Sequence, residues 1–324
     1  MKDFYGRDID YLRISLTPNC NLRCLYCMPK SGIKLPDESL NDEELLYLVK
    51  LICKTGIKKI RLTGGEPLLR PKIADLIFKI KSFSDVEEIS LTTNGILLEN
   101  FAQDLVLAGI DSINLSLDTI DENLFKKITR GGDIDKVFLG INAVKKLNIP
   151  LKLNSVILKH IDKVNTKEQI LSLVKFADEE SLPIRFIELM PLNVASKYVG
   201  VSEAEIKTIL KHNFGKLKLI KEDKSPAHYY EVENLSVPIG FISALSHNFC
   251  SSCNRLRLTF DGILKPCLHH LTGFDLKQLM RKNVSDDEII KAIENVIYHK
   301  PQRHHLKEKN FSLAENHSMS LIGG

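Results

Sequence analysis

The chain lacks any run of about 18 apolar residues, the length a membrane-crossing helix needs. Its opening residues, Met1-Lys2-Asp3-Phe4-Tyr5, hold no apolar signal core. A large charge of one sign is missing too: 45 basic residues against 41 acidic leave only +4. That excess is too small to retain nucleic acid by bulk attraction, so any anion site must be local. Internal repeats, low-complexity tracts and long linkers are absent. Neither a membrane nor a nucleic acid is therefore expected as a partner. What the chain does have is seven cysteines, and with no secretory segment they point to a reducing cytoplasm and metal ligation instead of disulfides. A length of 324 residues, 44% of them hydrophobic, allows a large globular core in two parts.

Three of the cysteines stand in Cys20-Asn21-Leu22-Arg23-Cys24-Leu25-Tyr26-Cys27, just after a short apolar strand. One loop can bring three thiolates onto one polynuclear centre. Structural zinc wants four protein ligands, often from paired Cys-x-x-Cys units, and iron–sulfur clusters normally take four thiolates. Three leave one metal position open, and open positions are where metals do chemistry. Burial as small apolar residues, or an unusual zinc loop, is the alternative.

The first two-thirds alternates strands with helices. Strands are expected at 12–16, 59–63, 88–93, 112–118, 151–157 and 184–190, and helices near 41–56, 73–83, 100–108, 134–147 and 166–179. Asn41 and Glu44 make a capping pair for the first helix. Six such units fit an α/β fold with an incomplete (β/α)6 barrel of TIM type. Side chains alternate along a strand, so Tyr11, Arg13 and Ser15 share one face, as do Lys59, Arg61 and Thr63, then Asn114, Ser116 and Asp118, then Lys152 and Asn154. The opposite faces are apolar. The faces of the sixth strand are not assignable from the sequence. A repeatedly cationic inner face implies an unfilled lumen for a polar, anionic ligand, the alternative being an open sheet with one solvated side. Arg13, Arg61 and Lys152 suit phosphate or purine recognition. Gly64-Gly65-Glu66-Pro67 and Asn94-Gly95, the latter after Thr92 and Thr93, are turn signals.

The rhythm stops near residue 215, which sets expected parts at 1–215 and 216–324. Strands at 216–220, 229–232, 239–244 and 255–260 read as antiparallel, followed by helices near 274–282 and 286–298. This part holds Cys250 and Cys253, followed by Arg255-Leu256-Arg257, and then Cys267. Again no fourth cysteine is clear, because Cys53 sits at an apolar helical position. A zinc site completed by His247, His269 or His270 remains the rival, as in a zinc-stapled RNA-binding protein.

The Cys-x-x-x-Cys-x-x-Cys loop, with the aromatic Tyr26 before its last cysteine, resembles the radical S-adenosylmethionine (SAM) enzymes. Together with LTGGEP, FCSSCNRLRLTFDGILKPCL and the terminal IGG, it is similar to the GTP 3′,8-cyclase family of molybdenum cofactor biosynthesis. That resemblance implies two 4Fe–4S clusters, on Cys20, Cys24 and Cys27 and on Cys250, Cys253 and Cys267. It implies SAM contacts at Tyr26, Gly65, Ser116 and Met190. GTP contacts are implied at Arg13, Arg61, Thr92, Lys152, Arg255, Leu256 and Arg257, and a role in turnover for Gly323 and Gly324. In the family, one-electron cleavage of SAM yields a radical that takes the ribose C3′ hydrogen, and C3′ then bonds to guanine C8. The implied partners are a reductant protein, a cyclic pyranopterin monophosphate synthase that receives the product, and a second copy in a homodimer. A radical SAM peptide maturase with an auxiliary cluster is the alternative. Pro18-Asn19 departs from the acidic–basic pair common in relatives, without removing a ligand.

Overall fold

The structure is a computed structural model describing residues 1–32, 39–161, 164–220, 226–270 and 273–304. Six strands run parallel and in sequence order: β1 (Tyr11–Ser15), β2 (Lys59–Thr63), β3 (Glu88–Thr93), β4 (Ser112–Ser116), β5 (Leu151–Ser155) and β6 (Ile184–Ile187). Between them lie α1 (Asp42–Cys53), α2 (Ile73–Lys81), α3 (Leu98–Leu107), α4 (Glu122–Thr129), α5 (Ile134–Lys146) and α6 (Thr166–Glu179). The capping box of Asn41 and Glu44 forms as expected at the start of α1. Helix α4 is an addition to the expected set, opened by the Asp121 carboxylate accepting from the Leu124 amide.

One face of each strand packs under these helices. Leu12, Ile14, Ile60, Leu62, Ile89, Leu91, Ile113 and Leu115 are fully buried there. Each contributes roughly 1.5–3 kcal/mol relative to exposure. The opposite faces carry the polar residues expected from alternation. The sheet also curls. Arg185 on β6 senses the charges of Arg61 on β2 and Tyr11 on β1, whereas four or five flat strand spacings would separate them by roughly 19–24 Å.

The remaining elements are α7 (Glu203–Phe214), β7 (Leu217–Leu219), β8 (His228–Val232), β9 (Ile239–Ile242), β10 (Arg255–Leu258), β11 (Ile263–Lys265), β12 (Phe274–Asp275), α8 (Leu276–Arg281) and α9 (Asp286–Tyr298). The expectation of four antiparallel strands in succession needs correction here. β7, β8 and β9 are antiparallel, but β9 pairs parallel with β6, and β10 pairs parallel with β1. The C-terminal strands are thus divided between the two edges of the central sheet, giving the order β12-β11-β10-β1-β2-β3-β4-β5-β6-β9-β8-β7. The reason is edge chemistry: β1 and β6 each leave a row of unpaired amides and carbonyls, which β10 and β9 cover. β6 ends at Ile187, so Met190 lies in the loop after it. No helix among the described residues is long and apolar enough to cross a membrane.

The glycine pair after β2 locks the cysteine loop in place. The Gly65 amide donates to the Thr17 carbonyl at 2.6 Å, and the Glu66 amide to the Asn19 carbonyl at 2.7 Å. A Cβ on Gly65 would fall 2.2 Å from the Asn19 oxygen, which is main chain and cannot swing aside. Gly65→Ala is therefore expected to cost about 1–3 kcal/mol of stability. The denaturant midpoint measures it; an unchanged midpoint would show that the 17–19 segment yields freely.

Candidate active site

The first cysteine group follows the C-terminal end of β1, the mouth where barrels of this type carry their chemistry. Cys20, Cys24 and Cys27 are free thiols, each half-buried. Burial raises Cys24 well above the usual thiol range, helped by the neighbouring charges of Cys27, Asp118 and Cys20. Burial likewise raises Cys20. Metal binding must displace such protons. Cys24 and Tyr26 line a cavity with Asn94, Ser116 and Asp118, so two of the expected SAM contacts, Tyr26 and Ser116, share it.

Two buried carboxyls brace this mouth. The Tyr26 hydroxyl donates to Asp118 Oδ2 at 2.7 Å and the Val156 amide to its Oδ1 at 2.8 Å. Burial pushes Asp118 up to about 6. Glu66, of the Gly-Gly-Glu-Pro turn, accepts from the Thr93 hydroxyl at 2.7 Å, the Asn94 amide at 2.8 Å and the Leu68 amide at 3.1 Å. Burial raises it to about 7 against these bonds. The sequence places Asp118 on the polar face of the fourth strand and Glu66 in the GGEP turn, but assigns neither a role.

Cys250 begins a 3-10 turn, Cys253 closes it just before β10, and Cys267 follows β11. β10 and β11 form an antiparallel ladder with Arg257 opposite Lys265. The start of one strand meets the end of the other, which brings Cys253 and Cys267 to the same end. Burial and the charges of its two partners raise Cys250. Burial also raises Cys267, but at Cys253 the charges of Lys300, Arg255 and Arg7 outweigh burial and lower it. Because β10 is parallel to β1, this group lies at the opposite end of the strands from Cys20. Five residues of strand separate the ends by roughly 16 Å.

Between the ends runs a row of arginines. The register sets Arg257 beside Arg13 and Arg13 beside Arg61 on three adjacent parallel strands. Burial, then the charges of Arg257, Arg61 and Arg255, push Arg13 well below the usual arginine range. Burial, then Arg255, lowers Arg257 to about 10. The guanidinium of Arg61 lies over the Tyr11 ring and that of Arg255 over Phe249. The Arg61 Nε, Thr92 Oγ1 and Asn114 Nδ2 atoms are shut from solvent without a hydrogen-bond partner among the described residues. Like charges abreast, with orphaned polar atoms beside them, fit a cradle for a polyanion.

Most of the expected GTP contacts share this wall. Thr92, Asn114 and Lys152 are level on β3, β4 and β5, and Lys152 is exposed. Leu256 is 0% exposed on the outer face, so only its main chain belongs to the wall. Arg185 was missed, because β6 shows no clean alternation. It lies on the same face, donates to Asn154 Oδ1 at 2.9 Å and also to Asn114. Gly323 and Gly324 lie outside the described residues.

The donor sets fit iron–sulfur clusters: six half-buried thiols in two groups of three. Among the described residues no three His, Cys, Asp or Glu side chains gather as the shell of one metal ion. His247, a candidate zinc ligand, is 63% exposed and stands 3.3 Å from Glu203. His269 is buried against the His304 ring, and burial lowers it to about 3. Cys53 is buried in α1, with burial pushing it to about 12.

Residues 14–177 match the radical SAM superfamily, and residues 182–306 match the domain named Molybdenum Cofactor Synthesis C. Over its full length the chain is 45% identical to the GTP 3′,8-cyclase of Clostridium perfringens (strain 13 / Type A), and covers all of that protein. It is 43% identical to the one from Thermodesulfovibrio yellowstonii, again with full coverage of both. The chain belongs to the GTP 3′,8-cyclase family. Among solved structures, Streptococcus suis SuiB superposes with a TM-score of 0.61 over 91% of this chain and 67% of SuiB, at 15% identity. Methylornithine synthase (PylB) gives 0.50 over 66% of this chain and 65% of PylB, at 16% identity. At such identities the likeness concerns the fold alone, a parallel radical SAM sheet.

Two outcomes are expected. Arg257→Ala removes one guanidinium of the row, and relief of the repulsion from its neighbours should offset part of the packing lost, so the ligand-free protein should melt only slightly below the parent. GTP affinity should nevertheless fall by on the order of 10- to 100-fold, the loss of a charge-assisted bond. Calorimetry reads both, and a destabilised variant with intact affinity would contradict the cradle. For Glu66, whose folded value is raised from 4.5 to about 7, the neutral form is favoured by folding. Its stabilising contribution is full below about 4.5 and fades as pH rises through about 7. Denaturant unfolding between pH 5 and pH 8 should therefore show the parent losing stability relative to Glu66→Gln.

Proposed function

We infer that this chain converts GTP to (8S)-3′,8-cyclo-7,8-dihydroguanosine 5′-triphosphate, a radical SAM lyase reaction and the first step of molybdenum cofactor biosynthesis. Family membership supports the class of reaction. The observation that carries the substrate is the row Arg257–Arg13–Arg61, the first buried and the other two half-buried, set between two thiol groups at opposite strand ends.

Cys20, Cys24 and Cys27 would hold a 4Fe–4S cluster, with SAM received at Tyr26, Gly65, Ser116 and Met190. Cys250, Cys253 and Cys267 would hold a second. When bound, the first cluster and SAM supply the one-electron chemistry that opens the ribose C3′–H bond. The chain's own residues bind, aim and shelter. The arginine row takes the triphosphate, Arg61 and Arg257 bidentately where geometry allows, with Lys152 as a point charge at the exposed end. Thr92, Arg255 and the Leu256 main chain complete the nucleotide's contacts, and Arg185 joins them from β6. Asp118 fixes the Tyr26 ring, and Glu66 fixes the turn that carries Gly65. Such fixing matters because the reacting atoms must stay within near-attack distance while water is kept out. Gly323 and Gly324 are assigned to turnover through the family resemblance. So are a reductant protein, a homodimeric partner copy and delivery of the product to cyclic pyranopterin monophosphate synthase. A peptide maturase would instead use an open groove for extended chain, whereas this wall is a compact row of cations suited to a polyanion.

Anaerobic protein given SAM, a chemical reductant and GTP should release a cyclised nucleotide detectable by mass spectrometry. Cys267→Ala should still cleave SAM yet give no cyclised product. Loss of SAM cleavage in that variant would mean the two thiol groups have been given each other's roles. No nucleotide product from the parent would sink the assignment.

A further inference from the structure

The second thiol group has a feature that the arginine wall does not explain. Lys300, just past the C-terminal end of α9, is only 2% exposed. Its ammonium donates to the Arg255 carbonyl at 2.7 Å and to the Pro266 carbonyl. Arg255 is two residues beyond Cys253, and Pro266 is the residue before Cys267. One cation thus bridges the two strands of the hairpin beside the cysteines they carry. A lysine buried this deeply needs a counter-charge or a full set of acceptors to offset its desolvation. Both of these acceptors are neutral carbonyls.

The main chain at Lys300 is also anchored. Arg7, 8% exposed and paired with Asp3 at 2.6 Å, donates to the carbonyls of Lys300 (3.2 Å), Pro301 (2.8 Å) and Gln302 (3.2 Å). The same guanidinium donates to the Cys250 carbonyl at 2.7 Å. Backbone and ammonium are therefore both tied to the segments bearing all three cysteines. Other cations act here, but Arg255 and Arg257 face the lumen, where a bound polyanion would neutralise them. Arg7 carries its own counter-charge in Asp3, whereas Lys300 is bonded to main-chain carbonyls of the hairpin itself.

We propose that Lys300 is a positioning residue for the second cluster, a fixed buried charge that favours its more negative, reduced state and so raises its reduction potential. The inference rests on the two-cluster reading above. It concerns a residue whose ammonium bonds main-chain carbonyls of the hairpin.

The test is an anaerobic redox titration of the full-length protein carrying both clusters, followed by electron paramagnetic resonance. Lys300→Met keeps the length and removes the charge; Lys300→Arg keeps the charge. In Lys300→Met the midpoint of the second signal should move to lower potential while the first stays put, and Lys300→Arg should lie near the parent. If Lys300→Met loses the second cluster's iron, retention of that iron and of the parent midpoint in Lys300→Arg would still support the charge. An unmoved midpoint in fully loaded Lys300→Met would overturn the proposal. So would an equal movement of both signals, or loss of the second cluster in both variants, since each would make Lys300 only a structural tie. A parent protein with a single cluster signal is a different failure: it would remove the two-cluster reading and this proposal with it.

Discussion

Arginines held side by side on neighbouring strands, half-buried or buried, are the constraint around which this molecule is arranged. Parallel strands lie about 4.8 Å apart, so the register of Arg257, Arg13 and Arg61 sets three guanidiniums close together. Burial and the charges of the neighbouring guanidiniums lower both Arg13 and Arg257. Folding must therefore tolerate their repulsion. The apolar outer faces of the same strands, sealed under α1, α2, α3 and α5, supply the opposing stability. Repulsion tolerated in the free protein is interaction energy available to an anionic ligand.

The carboxyls lie elsewhere. Glu66 and Asp118 stand at the C-terminal mouth, each saturated by amides and hydroxyls from neighbouring segments. Their role is mechanical. Glu66 ties the turn after β2 to the end of β3, while Asp118 ties the cysteine loop to the chain after β5. Neither has a role legible in the sequence, since a carboxyl in a turn or on a polar strand face reads as solvated. Their burial becomes evident only once the strands are curled together.

Much of the rest was legible because it was periodic. Alternation on β1, β2, β4 and β5 separates the polar wall from the core residue by residue, and the spacing of Cys20, Cys24 and Cys27 is local to one loop. Arg185 was lost because β6 is only four residues long and ends before its alternation can be read. The direction of β10 was lost for a deeper reason. Strand-turn-strand patterning gives the antiparallel β10–β11 hairpin, but the parallel pairing with β1 joins residues far apart in sequence. No local pattern encodes such a pairing. Capping boxes, by contrast, are local, and the one at Ser202 and Glu205 could have announced α7.

That one long-range pairing sets several things at once. With Leu12 beside Leu256 and Arg13 beside Arg257, both leucines face the core and both arginines face the lumen. A slip of one residue would turn Arg255 and Arg257 into the apolar layer and expose Leu256, a cost no surface rearrangement could offset. The same pairing keeps Cys253 and Cys267 at the end of the strands away from Cys20. Distance between the thiol groups, orientation of the arginines and closure of the β1 edge are therefore one structural decision. The buried leucine between two arginines enforces it, because its apolar side chain can be satisfied in only one of the two registers.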